Sequence, residues 1–142
     1  CCHWLQLRRM RIISEGANKL YMENSNINKL IDDWNLALQT KDAKKVVELY
    51  SSDAILIPTI SNKVRHNHNE IEDYFIYFLS KSPSFKINES NIRKFNSLAI
   101  NSGIYTATFK DGSSVKARFT IVYQYIRDRW LIIEHHSSMM PE

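Results

Sequence analysis

Residues 115–138, VKARFTIVYQYIRDRWLIIEHHSS, decide the fold of this chain. Their apolar residues follow a strand-like rather than a helical period, which predicts two long strands joined through Arg127 and Asp128. Just upstream, an Asp-Gly pair at 111–112 supplies the positive φ that a tight hairpin turn needs. Residues 97–109 predict a third strand with a break near Asn101, and residues 85–95 predict a weaker fourth. The second half of the chain is therefore an antiparallel meander.

The first half of the chain instead repeats apolar residues at helical spacing. Residues 27–38 show the i, i+3, i+4, i+7 pattern of an amphipathic helix, and a short second helix opens at Asp42. Residues 51–59 form a brief strand that Pro58 ends, because proline lacks a backbone donor. Residues 71–79 predict a third helix. This order predicts an α+β domain in which three N-terminal helices pack on one face of a curved antiparallel sheet.

The two faces of the last predicted strand suggest self-association. Neighbouring residues on a strand point to opposite faces. Leu131 and Ile133 share one face with His135, whereas Trp130 and Ile132 share the other, so both faces carry apolar side chains. Helices cover one of these faces. The chain has no spare helix for the other, which predicts that a second subunit covers it.

Polar side chains end this strand abruptly at His135 and His136. Which histidine lies beside Arg118 on the neighbouring strand depends on the hairpin. A two-residue loop places Arg118 next to His135, whereas a one-residue bulge places it next to His136. The sequence leaves both arrangements open. In either one, a guanidinium and an imidazole could converge on an anion, although a surface arginine and an interface histidine explain the same residues.

Composition excludes several classes of function. The 142 residues carry a formal charge of +4, with 44% hydrophobic residues, and the basic residues form no stripe interleaved with aromatics. We therefore expect neither nucleic-acid binding nor, without a long apolar run, a membrane span. The only cysteines, Cys1 and Cys2, are adjacent, so a disulfide-independent core in the cytoplasm is expected. Residues 1–21 are expected to be a leader or a disordered extension, and residues 22–142 a single domain.

Metal and nucleophile chemistry are weakly indicated. His66 and His68 lie in an Asn-rich loop, and neither cysteine ligands nor an HExxH helix supports a zinc site with the later histidines. Ser137 and Ser138 follow the His pair without a nucleophile-elbow motif or an acid to orient the base. We expect no metal and no cofactor.

Five segments together resemble the nuclear transport factor 2-like, or SnoaL-like, superfamily with its cystatin-like fold. The segments are LIPTISNKVR (56–65), IEDYFIYFL (71–79), GIYTATFKDG (103–112), ARFTIVY (117–123) and WLIIEHHSSMMPE (130–142). Within the superfamily they are most similar to small bacterial relatives of the calcium/calmodulin-dependent protein kinase II association domain. The resemblance implies a cone-shaped sheet around a pocket and assembly into a homodimer or larger ring.

The resemblance also implies a function and a set of site residues. We expect a self-associating scaffold or binding domain whose pocket receives a small organic anion. The ligand-binding candidates are Arg65, Arg118, His135, His136, Tyr50 and Tyr105, although the two tyrosines also suit the core. The alternative is an isomerase, cyclase or dehydratase acting on a small carbonyl compound, with His135 or His136 as general base. Kinase activity is not implied, because the chain has no kinase domain.

Overall fold

Five strands and three helical segments make up the residues that the computed structural model describes, 27–141. The predicted extension, residues 1–21, lies outside this range. The chain divides into two units, Cys1–Leu30 and Ile31–Glu142, and apart from the first four residues of the helix at 27–39 the features below belong to the second.

Two of the three helices begin at side chains that accept hydrogen bonds from free backbone amides. Helix α1 comprises the described helical residues 27–39. Helix α2 (Ala43–Val47) follows Asp42, whose carboxylate accepts a hydrogen bond from the Lys44 amide. Helix α3 (His68–Leu79) follows Asn67, whose side chain accepts from the Glu70 amide. Both caps satisfy donors that the first helical turn leaves without partners. The predicted third helix is confirmed, and its aromatic side turns inward.

The strands form one sheet in the order β1-β5-β4-β3-β2. Their bounds are Tyr50–Ile57 (β1), Ser84–Phe95 (β2), Leu98–Thr108 (β3), Ser114–Ile126 (β4) and Arg129–Met139 (β5). The meander from β2 to β5 is antiparallel, as predicted, but β1 pairs with β5 in parallel. The prediction of a wholly antiparallel sheet is therefore wrong. Because β1 reaches β5 through α3 and the meander rather than through a hairpin, no tight turn forces the two strands to oppose each other.

Two details of the meander also differ from expectation. Strand β2 is as long as its neighbours, although the sequence favours it only weakly. Strand β3 runs unbroken through Asn101, whose buried side chain accepts a hydrogen bond from the Ser90 hydroxyl at 2.8 Å. This bond offsets the cost of burying an amide in the sheet. The predicted turn at Asp111 and Gly112 is confirmed, since Gly112 has φ +84°.

Gly103 in β3 sits opposite an irregularity in β2. The pairing register shifts between Ile87 and Glu89, which brings the backbone of Glu89 close to Gly103. A Cβ atom at Gly103 would lie 1.9 Å from the Glu89 carbonyl oxygen. Only a residue without a side chain fits this approach.

Candidate functional site

A one-residue bulge in β5 decides which histidine faces the interior. The β4–β5 turn is the two-residue Arg127–Asp128 loop, in which both residues have positive φ. The register then shifts, because Val122 pairs with Glu134 while Tyr123 pairs with Ile132. His136 therefore pairs with Thr120. Of the two arrangements that the sequence left open, the bulged one forms.

The bulge separates the predicted site residues onto two faces of the sheet. His135 shares the inner face with Ile121, to which it is paired, and only 6% of its surface is exposed. Arg118 and His136 share the outer face, and both are exposed. The predicted neighbour of Arg118 is thus His136, and both line a shallow pocket on the outer face, whereas the interior imidazole of His135 lies on the opposite side of the sheet.

The inner face lines a largely apolar, partly open cavity of about 40 Å³. A water molecule needs about 10–15 Å³ on this measure, so the space suits a few water molecules or a small organic group. The cavity is lined by Ile31, Trp34, Leu56, Pro58, Thr59, Ile60, Tyr74, Phe75, Phe78, Phe85, Ile87, Tyr105, Ala107, Phe109, Val115, Phe119, Ile121, His135 and Ser137. Within this lining no side chain carries a permanent charge.

A hydrogen-bonded chain of three rings holds His135 in one tautomer. The indole nitrogen Nε1 of Trp34 donates to the Tyr50 hydroxyl at 3.1 Å, and that hydroxyl lies 2.8 Å from Nδ1 of His135. The fully buried Tyr50 hydroxyl needs an acceptor for its own proton, and Nδ1 is the atom in position to accept it. The neutral imidazole therefore carries its proton on Nε2. Since Tyr50 lies outside the cavity lining, the edge with Nε2–H is the one that remains for the cavity.

Burial keeps this imidazole neutral. Desolvation, with a smaller contribution from the neighbouring His136, lowers the pKa of His135 from 6.5 to about 4. Burial also raises the pKa of Tyr50 well above its usual value of 10.0. At neutral pH the pair is therefore uncharged, and the polar chemistry that it offers the cavity is a single N–H donor.

Three hydroxyl groups form a second polar cluster in the same cavity, which we call the hydroxyl ring: Thr59, Tyr105 and Ser137. The Tyr105 hydroxyl lies 2.5 Å from Ser137 Oγ and 3.2 Å from Thr59 Oγ1, and Thr59 also donates to Ser137. Ser137 lies two residues after His135 on the same face of β5. Tyr105 was among the residues predicted from the sequence to bind a ligand, whereas Thr59 and Ser137, which line the same cavity, were not. Ser137 could have been predicted, because it shares a strand face with His135. Thr59 could not, because it lies beyond the end of β1, where the alternation of strand faces no longer applies.

The remaining candidate, Arg65, lies outside the cavity lining but touches one of its residues. Its guanidinium carbon is 5.3 Å from the centre of the Tyr74 ring, a cation–π distance. Nη1 of Arg65 donates to the Ser61 hydroxyl at 2.8 Å and to the Lys63 carbonyl oxygen. The backbones of Arg65 and Leu56 also exchange two hydrogen bonds of 2.9 Å, which fix the loop to β1.

The part of the chain that the structure describes contains no group of three or more metal-ligating residues. Helices within residues 27–141 are all too short or too polar to cross a membrane.

Comparison with known proteins places this geometry in a family. Residues 23–141 match the model of the calcium/calmodulin dependent protein kinase II association domain. A crystal structure from Xanthomonas campestris, named for the same association domain, is 45% identical and superimposes with a TM-score of 0.78, covering 82% of this chain and 86% of that one. None of the curated proteins matches the sequence.

More distant structures share the fold alone. A nuclear transport factor 2-like protein of unknown function from Pseudomonas putida is 17% identical, with a TM-score of 0.75 over 83% of this chain and 87% of that one. A protein with a cystatin-like fold from Novosphingobium aromaticivorans is 10% identical, with a TM-score of 0.75 over 89% and 88%. These neighbours support the α+β, cystatin-like assignment. By its sequence match and its fold, the chain belongs to the calcium/calmodulin dependent protein kinase II association domain family.

Proposed function

We propose that this domain associates with copies of itself and holds a small, uncharged organic molecule in its interior cavity. The observation that carries the ligand is the electrical neutrality of the lining around His135. Burying a charged ligand there would cost several kcal/mol, because no opposite charge lines the cavity to compensate it. Apolar and aromatic side chains with a few polar groups are typical of small-molecule pockets.

The charge of the lining argues for a neutral ligand over the organic anion expected from the sequence. An anion in the cavity would need Arg65 or Arg118 to supply a positive charge. Arg118 is exposed on the outer face, and Arg65 reaches the cavity only through the ring of Tyr74. His135, with its lowered pKa, stays uncharged at neutral pH.

Two molecules of nearly equal shape test the charge of the ligand. We expect 3-methylbutan-2-one, but not isobutyrate, to raise the melting temperature (Tm) at pH 7.5. At about ten times its Kd the ketone should stabilise the protein by about 1.4 kcal/mol, a rise in Tm of roughly 3–6 °C. Differential scanning calorimetry measures both. If isobutyrate stabilises the protein as much as the ketone, the neutral-ligand proposal fails and the anion is restored.

Self-association is supported by the outer face of the sheet. Arg118, His136 and Glu134 on this face are interspersed with apolar side chains that are only partly covered: Ile55, Ile57, Ile100, Ile104 and Val122. A polar and apolar patch of this kind is typical of the symmetric interfaces of homodimers. The family's name, association domain, supports the same assignment.

A charge at the centre of this face should separate the subunits. We expect the wild-type protein to sediment as a dimer or larger assembly and Val122→Glu to raise its dissociation constant at least tenfold. In a dimer that buries this face, the added carboxylate would be desolvated beside Glu134, with which Val122 is paired. Sedimentation velocity measures the mass. Ile76→Glu is the control, since Ile76 is 58% exposed on α3. A wild-type monomer, or an equal effect of both variants, would contradict the proposed interface.

Proton transfer on a small carbonyl compound is the second proposal for the cavity, favoured by the neutral imidazole of His135. It is the weaker one on two grounds. The unprotonated nitrogen Nδ1 is already bonded to the Tyr50 hydroxyl, and no carboxylate lines the cavity in the described part of the chain. His136, the other candidate base, is on the outer face.

A further inference from the structure

The two polar clusters of the cavity differ in what they offer a ligand. His135 presents Nε2–H, which is a donor. In the hydroxyl ring, three O–H groups share three mutual contacts, so each proton is used within the ring. Each hydroxyl oxygen keeps a second lone pair. The ring therefore accepts hydrogen bonds from a ligand but has no free proton to donate.

The donor and the acceptor lie side by side on one strand. His135 and Ser137 are alternate residues on the same face of β5, so their Cα atoms are about 7 Å apart and their side chains stand roughly parallel. The oxygen and nitrogen of an amide group are roughly 2 Å apart, and each hydrogen bond adds about 2.9 Å. The resulting span of about 8 Å is comparable with the spacing of the two side chains, so one amide group has the length to bridge the two clusters.

From this juxtaposition we infer that the cavity selects a neutral primary carboxamide or lactam on a small apolar body. The amide oxygen accepts from Nε2–H of His135, and the amide N–H donates to the hydroxyl ring. This inference rests on the proposed binding of a neutral ligand and adds the chemical class. A ketone satisfies only the donor. A carboxylate meets acceptor oxygens at the ring and a single donor at His135.

Isobutyramide and 3-methylbutan-2-one differ only by NH₂ in place of CH₃. Comparing them distinguishes the preference for a carboxamide from the binding of a neutral ligand in general. Isothermal titration calorimetry at pH 7.5 should give a Kd for isobutyramide about fivefold to tenfold lower than for the ketone, as expected for one added hydrogen bond. If the ketone binds and the amide is no tighter, the carboxamide inference fails while ligand binding stands. If neither binds, the proposed binding of a neutral ligand itself fails.

A single hydroxyl removed from the ring should change this preference rather than only weaken binding. In Tyr105→Phe, Thr59 still donates to Ser137, but the Ser137 proton no longer has Tyr105 as its acceptor. The variant site thus gains a donor. The Kd for the ketone divided by the Kd for isobutyramide should therefore fall to about one. Thr59→Val should lower the ratio in the same way. Thr106→Val is the matched control, because its hydroxyl bonds Asn88 outside the cavity. If Tyr105→Phe and Thr59→Val keep the wild-type ratio, the hydroxyl ring is not the amide subsite.

Discussion

Replacing Gly103 by alanine should lower the free energy of unfolding by about 3 kcal/mol or more. The added Cβ would lie 1.9 Å from the carbonyl oxygen of Glu89 and 2.6 Å from its carbonyl carbon. Both are backbone atoms of the paired strand β2, which cannot turn aside as a flexible side chain would. Overpacking of this kind typically costs 1–3 kcal/mol and more where the backbone must move, so about 3 kcal/mol marks the expected scale.

Urea denaturation of the wild-type and variant proteins measures this loss. Ser102→Ala is the matched control, because it makes a small change at the preceding residue of the same strand. Its effect should remain within about 0.5 kcal/mol, as for most partly exposed positions. A loss below about 1 kcal/mol for Gly103→Ala would show that β2 gives way without cost. A variant that fails to fold, while Ser102→Ala folds, supports the expected result.

Acid should weaken the protein through His135. The pKa of this histidine is about 4 in the folded protein and 6.5 in the unfolded chain, so unfolding takes up a proton below pH 6.5. The contribution of His135 to the free energy of unfolding is fully present above the unfolded pKa. It decreases as the pH is lowered and levels off near the folded pKa. A difference of this size corresponds to about 3 kcal/mol in total, of which about 2 kcal/mol is lost by pH 5.

Comparison with His135→Gln isolates this contribution. Glutamine does not titrate, and its side-chain oxygen can still accept a hydrogen bond from Tyr50. The wild-type protein should lose about 2 kcal/mol more than the variant between pH 7.5 and pH 5, measured by urea denaturation at each pH. Two other groups, Glu70 and Asp111, also have folded pKa values that differ from the usual ones, because hydrogen bonds lower them from 4.5 and 3.8. These values lie below the pH window of the measurement. Equal slopes for the two proteins would contradict a buried, neutral His135.

Local patterns predicted most of the secondary structure. The aromatic period of residues 71–79 gave helix α3, and the Asp-Gly pair at 111–112 marked the turn between β3 and β4. The pairing of strands that are distant in the chain has no comparable local pattern in the sequence. Nothing in the apolar pattern of residues 51–59 distinguishes a strand that pairs in parallel from one that pairs antiparallel. The full length of β2 depends on its pairing with β3, because the side chains of β2 are exposed or only partly buried and so leave a weak apolar pattern in the sequence.

The candidate site was predictable only in part, because it depends on which face each side chain takes. His135 and Arg118 could be placed on neighbouring strands from the sequence, but the single extra residue at the bulge reverses which of the paired histidines meets Arg118. Ser137 follows from His135 once that face is known. Thr59 reaches the cavity from the end of β1, where no alternation applies. The family resemblance predicted a pocket, whereas the distribution of charge around the pocket could be determined only from the packed structure.

The bulge in β5 also bears on how relatives should be aligned. Ile133 is the residue without a partner in β4, because Ile132 pairs with Tyr123 and Glu134 pairs with Val122. A relative that is one residue shorter here can keep every other side chain on its present face, provided that the gap is assigned to Ile133. A gap placed three residues later, at His136, would equate an exterior histidine with an interior one. Comparative annotation of pocket residues across the family therefore depends on locating this one insertion correctly.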